Sequence, residues 1–177
     1  MNKLLVIVSI SLVLFASCDS VRNSFIEKNA NYTDSISQYE NLLFAKGNTS
    51  IKVNDAIKLA GFYRNFAINN KKDSLAADYL FKSADIFMNM NKANDAIESF
   101  NMILEEYPEY KKAPSVLFLK AFIYEDQLDD LANAEKYYKI FLEKYPNSDF
   151  ADDAEISLNN LGKTPEQLIE EFEKMNN

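Results

Sequence analysis

The sequence predicts an all-α solenoid of about three helical hairpins in a row, followed by one C-terminal capping helix. Three observations predict it. A block of apolar residues returns at a near-constant interval along the chain. Only 3 Gly and 4 Pro interrupt it, few for a turn-rich β protein. The 13 Phe and 10 Tyr recur at helical spacing, and most of them should be core.

The repeat is clearest in the second helix of each hairpin. Ala96, Phe100, Ile103 and Pro108 lie at offsets 0, 4, 7 and 12, and Ala134, Tyr138, Phe141 and Pro146 repeat them 38 residues later. An earlier, degenerate copy is Leu59, Tyr63, Phe66 and Lys71, which lacks the proline and the small first residue. In the first helices, Leu80, Ala84 and Phe87 return as Leu117, Ala121 and Tyr124 after 37 residues. The one-residue difference falls in the connection Glu125–Leu131, where an insertion costs little.

The elements follow in order. Helix one is expected at Thr33–Lys46, with Ile36, Tyr39, Leu42 and Leu43 on one face. Gly47-Asn48-Thr49-Ser50 marks a turn. Helix two is expected at Ile51–Asn69 and helix three at Leu75–Met90, N-capped by Asp73 or Ser74. Helix four covers Ala93–Tyr107 and helix five Pro114–Gln127, whose proline sits where a missing donor is harmless. Helix six covers Leu131–Tyr145 and helix seven Phe150–Asn160, with Gly162 as its cap. Thr164-Pro165-Glu166-Gln167 has the pattern of a capping box and starts helix eight. Leu168, Ile169 and Phe172 give that helix an apolar stripe, and it should cover the last hydrophobic face of the solenoid.

Residues 1–17 have the form of a secretory signal. A basic start is followed by the apolar run Leu4–Phe15, too short to span a bilayer. Ordinary signal cleavage wants small residues at −1 and −3, which Phe15 and Leu14 spoil. Phe15-Ala16-Ser17-Cys18 instead suits lipoprotein processing, with Cys18 as the lipidated residue. Three acyl chains there would anchor the chain stably to a membrane. Residues 18–32 read as a polar tether, 33–162 as the solenoid and 163–177 as the capping helix.

The composition narrows the chemistry. The net charge is −8, so phosphate backbones are repelled and no nucleic-acid partner is expected. There is no His and one Cys, so no histidine base and no His/Cys zinc site can form. The acidic stretches Asp126–Asp130 and Asp152-Asp153-Glu155 lack the alternation and glycine of a calcium loop. They read as a solvated turn and as charge at a helix N-terminus. No catalytic residues, metal or cofactor are assigned, and no enzyme is expected. Asp19-Ser20-Val21, Asp34-Ser35-Ile36 and Asp73-Ser74-Leu75 match a short O-glycosylation pattern, but helix capping is the preferred reading.

The repeated block resembles the tetratricopeptide repeat, a helix–turn–helix of about 34 residues. Ala84 and Ala121 stand at its small first-helix position, Ala96 and Ala134 at its small second-helix position, and Pro108 and Pro146 close the units. The family's Trp is replaced by Leu80 and Leu117. With the FLEKYPNSDFADDA stretch, the chain is similar to tetratricopeptide lipoproteins of bacterial envelopes, that of the outer-membrane barrel assembly machine among them. The resemblance implies a peptide-binding groove lined by first helices: Asp78, Phe81, Asp85 and Met88 in one unit, Ser115, Phe118, Phe122 and Glu125 in the next. It implies a lipid-anchored scaffold for protein partners at the outer membrane, facing the periplasm. The alternative is an accessory lipoprotein binding a secreted or cell-wall ligand.

Overall fold

The computed structural model describes residues 31–45 and 52–175. The signal segment, Cys18, most of the tether and the turn Gly47–Ser50 lie outside the described residues. Eight helices and no strands are found among the described residues. They are α1 (31–44), α2 (Val53–Asn69), α3 (Ala76–Asn89), α4 (Ala93–Glu106), α5 (Ala113–Asp126), α6 (Leu131–Lys144), α7 (Ala151–Asn160) and α8 (Pro165–Met175).

From α2 to α7, each helix packs on its neighbours in sequence, the arrangement of a helical-hairpin solenoid. The repeat residues explain the packing. Ala84, Ala96, Ala121 and Ala134 are wholly buried, so the backbones of paired helices approach closely. Phe100, Ile103, Tyr138 and Phe141 are wholly buried beside them. A core of Leu80, Ala84, Phe100 and Ile103 joins α3 and α4 to Val116 and Ile123 of α5. A second core, with Ile36 and Leu43 of α1 on Leu59 and Tyr63 of α2, supports the degenerate first hairpin. A third, with Leu117, Tyr138, Phe141 and Ala154, joins α5, α6 and α7.

The turns follow local chemistry. Asn91 and Asp129 occupy equivalent places 38 residues apart, and both adopt the left-handed conformation (φ 56° and 50°) that ends the first helix of each hairpin. Asp130 caps α6, accepting from the Asn133 amide at 3.1 Å, so the acidic turn is also a helix start. Asp73 accepts from the Leu75 amide at 2.8 Å and shapes the turn just ahead of α3.

Three expectations are corrected. Among the described residues helix one covers 31–44, so Asp34-Ser35 lies inside it and not at its start. Ser35 donates instead to Asn31 at 3.4 Å. The third concerns α8. Its capping box forms as expected, with Thr164 N–H on Gln167 Oε1 (2.8 Å) and Gln167 N–H on Thr164 Oγ1 (3.3 Å). Two residues of its stripe, however, are not buried against the solenoid end. Leu168 is 36% and Ile169 59% exposed. Two features account for this. Leu161 is extended (ψ 123°) and Gly162 left-handed (φ 75°), so the chain turns away from α7. The offsets 0, 4 and 7 recur as Leu168, Phe172 and Met175, but a bulky leucine stands where α4 and α6 have buried alanines.

Candidate protein-binding face

The first helices α3 and α5 place their expected groove residues at matching positions, since 78, 81, 85 and 88 become 115, 118, 122 and 125 after 37 residues. The structure divides these eight into two open residues, five that serve contacts within and between hairpins, and Ser115, which lines a pocket. Asp85 is exposed, and its carboxylate accepts from Asn89 of its own helix at 3.3 Å. Phe122 is 37% exposed. These two stand at the same position of successive repeats.

Five others are engaged. Asp78 accepts from the Tyr110 hydroxyl at 2.7 Å. Phe81 packs between Phe100 and Tyr110, with ring centroids 6.2 and 6.3 Å away, and the Lys112 ammonium lies 4.3 Å from its centroid. Phe118 is its counterpart, stacked on Phe150 at 5.0 Å and near Tyr138 and Phe141. Met88 packs against the core, and its carbonyl accepts from Gln127 at 3.0 Å. Glu125 accepts from the Tyr138 hydroxyl at 2.7 Å. Ser115 lines a separate pocket of about 520 Å³ with Lys111, Lys144 and Tyr145. Phe81 and Phe118 are thus half-buried junction residues, while Phe122 does not share that packing.

The face has a part that repeat arithmetic does not give. Asp85 lines a cavity of about 200 Å³ with Glu40, Phe44, Tyr63, Lys82 and Ile86. Phe44 is 63% exposed at its rim. Glu40 and Phe44 come from α1, whose sequence carries no clear copy of the repeat, so only the packing of Ile36 and Leu43 reveals them.

Glu40 also belongs to a patterned network. Tyr63 donates to Glu40, and Lys82 reaches the same carboxylate at 3.0 Å. Burial pushes the Glu40 carboxyl up, but the bond from Tyr63 and the bond and charge of Lys82 together hold it below its usual value. In the last hairpin Tyr138, Glu125 and Ser157 form the corresponding set. In the middle hairpin the equivalent residues are Phe100, Met88 and Leu119, all apolar and all in one core. A buried hydroxyl needs an acceptor, so its donor and acceptor are present or absent together.

This pattern sets an expected result. Tyr138→Phe alone should cost about 1–2 kcal/mol by depriving Glu125 of its donor. The triple variant Glu125→Met/Tyr138→Phe/Ser157→Leu copies the middle hairpin and should recover stability to within about 1 kcal/mol of the parent. Urea unfolding of both variants checks it. A triple variant weaker than the single one would show that the three positions do not act as a set.

Lys120 is a further residue that sequence reasoning missed. It is only 5% exposed, donates to Asn101 at 2.6 Å and lies 3.8 Å from the Tyr137 centroid. Tyr124 stacks on that ring at 5.4 Å. Its equivalent in the preceding repeat is the buried Ser83, which donates to the Ala60 carbonyl at 2.9 Å. The signal was a lysine standing in a small buried slot of the repeat.

A helical-hairpin solenoid with open residues at matching positions of its first helices defines a class: repeat scaffolds that hold other proteins. Residues 78–110 and 115–148 match the family model of the tetratricopeptide repeat, and these are the hairpins α3–α4 and α5–α6. No curated protein and no solved structure matches the chain. Among the described residues no group of three His, Cys, Asp or Glu side chains is placed to hold a metal ion.

Proposed function

We propose that the chain is a lipid-anchored, non-catalytic scaffold of the bacterial envelope, holding partner segments along α1, α3 and α5 in the service of outer-membrane protein assembly. The observation that carries the scaffold reading is the pair Asp85 and Phe122, open at equivalent positions of two adjoining repeats. An extended segment crossing the two helices meets a carboxylate at one and an aromatic ring at the other. Basic residues and apolar anchors suit that sequence of contacts. The anchor rests on Phe15-Ala16-Ser17-Cys18 after the apolar run. Confinement to a membrane raises the effective concentration of the groove for partners held there.

Photocrosslinkers at positions 85 and 122 in intact cells test the partner class. Barrel-assembly proteins are the expected products, and capture of soluble ligands alone would overturn the assembly role. Asp85→Lys with Phe122→Ala should lower capture at least tenfold while the chain stays folded, because Asp85 is exposed and Phe122 lies outside the buried cores. Phe81 is the wrong choice for such a test, since its ring packs between Phe100 and Tyr110. Cys18→Ala should release the protein from membranes or block its processing. Normal processing with continued membrane partition would overturn lipidation.

A further inference from the structure

We propose, resting on the groove reading above, that the cavity where α1, α2 and α3 meet is an arginine pocket, seating one arginine side chain of the partner segment. The cavity holds about 200 Å³ and is lined by Glu40, Phe44, Tyr63, Lys82, Asp85 and Ile86. Drug-sized ligands fill about 300–1,000 Å³, so this volume suits a single side chain. Phe44 and Ile86 give it apolar wall, and Phe44 is open at the rim. Glu40 and Asp85 bring two carboxylates against one lysine. Lys82 is committed to Glu40 at 3.0 Å, with its ammonium 5.1 and 5.4 Å from the Tyr63 and Tyr79 centroids. Tyr63 donates to the same carboxylate. Asp85 accepts from Asn89, a neutral amide, and no lysine or arginine among the described residues pairs with it. The cavity thus offers one carboxylate and one ring that no cation of the fold engages.

The chain itself shows how such a set holds a guanidinium. Arg64 has its Cζ 5.2 Å from the Phe87 centroid, while its Nη1 pairs with Glu98 at 2.8 Å and Asp95 at 3.4 Å. A partner's arginine would meet the same combination, its plane against Phe44 and its fork on Asp85. Its apolar stem would lie along Ile86. A lysine reaches a carboxylate but offers neither the flat face nor the paired donors. An apolar side chain would take water from the Asp85 carboxylate and return no donor. An acidic one would be repelled.

The test titrates the full, isotope-labelled chain by NMR with the peptide GSLSXSLSG, where X is arginine, lysine or citrulline, the uncharged twin of arginine. Amide shifts at residues 40–44 and 82–86 should mark binding of the arginine peptide. The citrulline peptide should bind at least tenfold more weakly, and the lysine peptide at least threefold more weakly. Asp85→Asn should cost the arginine peptide at least tenfold and the citrulline peptide nothing. Phe44→Ser should abolish the preference for arginine over lysine. Both side chains are exposed, so both variants keep the fold. Equal binding of arginine and citrulline peptides, an equal Asp85→Asn loss for both, shifts confined to α5, or no binding by any peptide would each overturn the pocket. Arg22 is the chain's one other arginine. Arg22→Ser should leave the signals of residues 44 and 85 unmoved in the unliganded chain. A shift there would assign the pocket to the chain's own arginine and overturn the proposal. The two readings fail separately. Capture of barrel-assembly proteins at positions 85 and 122 without an arginine preference would keep the scaffold and remove the pocket. An arginine preference without such capture would keep the pocket and remove the assembly role.

Discussion

Phe100→Ala is expected to destabilise the protein by about 3–5 kcal/mol, the range for removing a fully buried phenylalanine. Phe100 is wholly buried in the middle hairpin. It shares a core with Leu80 and Ala84 of its own hairpin, Ala60 of the one before and Val116 of the one after. A hole there weakens both junctions, and in a solenoid the junctions supply much of the stability. A domain of this size has about 5–15 kcal/mol in total, so the loss would remove a large part of it. Urea unfolding followed by circular dichroism measures the shift. Phe122→Ala is the comparison: its ring is 37% exposed and lies outside the buried cores, and the expected change is about 1 kcal/mol.

The second large effect lies in alkali. Tyr63 and Tyr138 are almost wholly buried. Burial first, and the carboxylates of Glu40 and Glu125 next, push both phenols well above their ordinary value of 10. Tyr110, beside Asp78, shifts the same way. The native state therefore keeps phenol protons that the unfolded chain loses above pH 10. The stabilisation is complete below that pH and declines as pH rises further. For two groups the slope is about 2.7 kcal/mol per pH unit. Unfolding free energies measured from about pH 8 to about pH 11 should show it. Replacing both tyrosines with phenylalanine should flatten the slope while lowering stability at neutral pH. An unchanged slope would mean that these hydroxyls ionise freely in the folded protein.

The fold was legible because its determinants repeat. Ala96 and Ala134, Phe100 and Tyr138, and Ile103 and Phe141 recur at one interval, and every one of them is wholly buried. The groove was legible by position but not by exposure. Repeat arithmetic places Phe81 and Phe118 on the correct helices. It cannot show that Tyr110 and Phe150, from the connections that follow, fold back onto their rings. The contribution of α1 was hidden because its register departs from the repeat, so no residue at the repeat interval marked Glu40 and Phe44. The state of α8 was hidden for a different reason. Its stripe has the right spacing for a second helix, and the turn at Leu161–Gly162 with the bulk of Leu168 leaves Leu168 and Ile169 exposed.

The packing of each helix on its neighbours in sequence also bears on how the chain reaches this state. Even the bond from Lys82 to Glu40 joins residues only 42 apart. No strand has to find a partner from the far end of the chain. Local topology of this kind favours rapid folding, since little loop entropy is lost before contacts form. The middle hairpin, with the largest shared core, is the natural nucleus, and the others can add to it on either side. A chain of this design can complete each hairpin as it becomes available, without waiting for the rest.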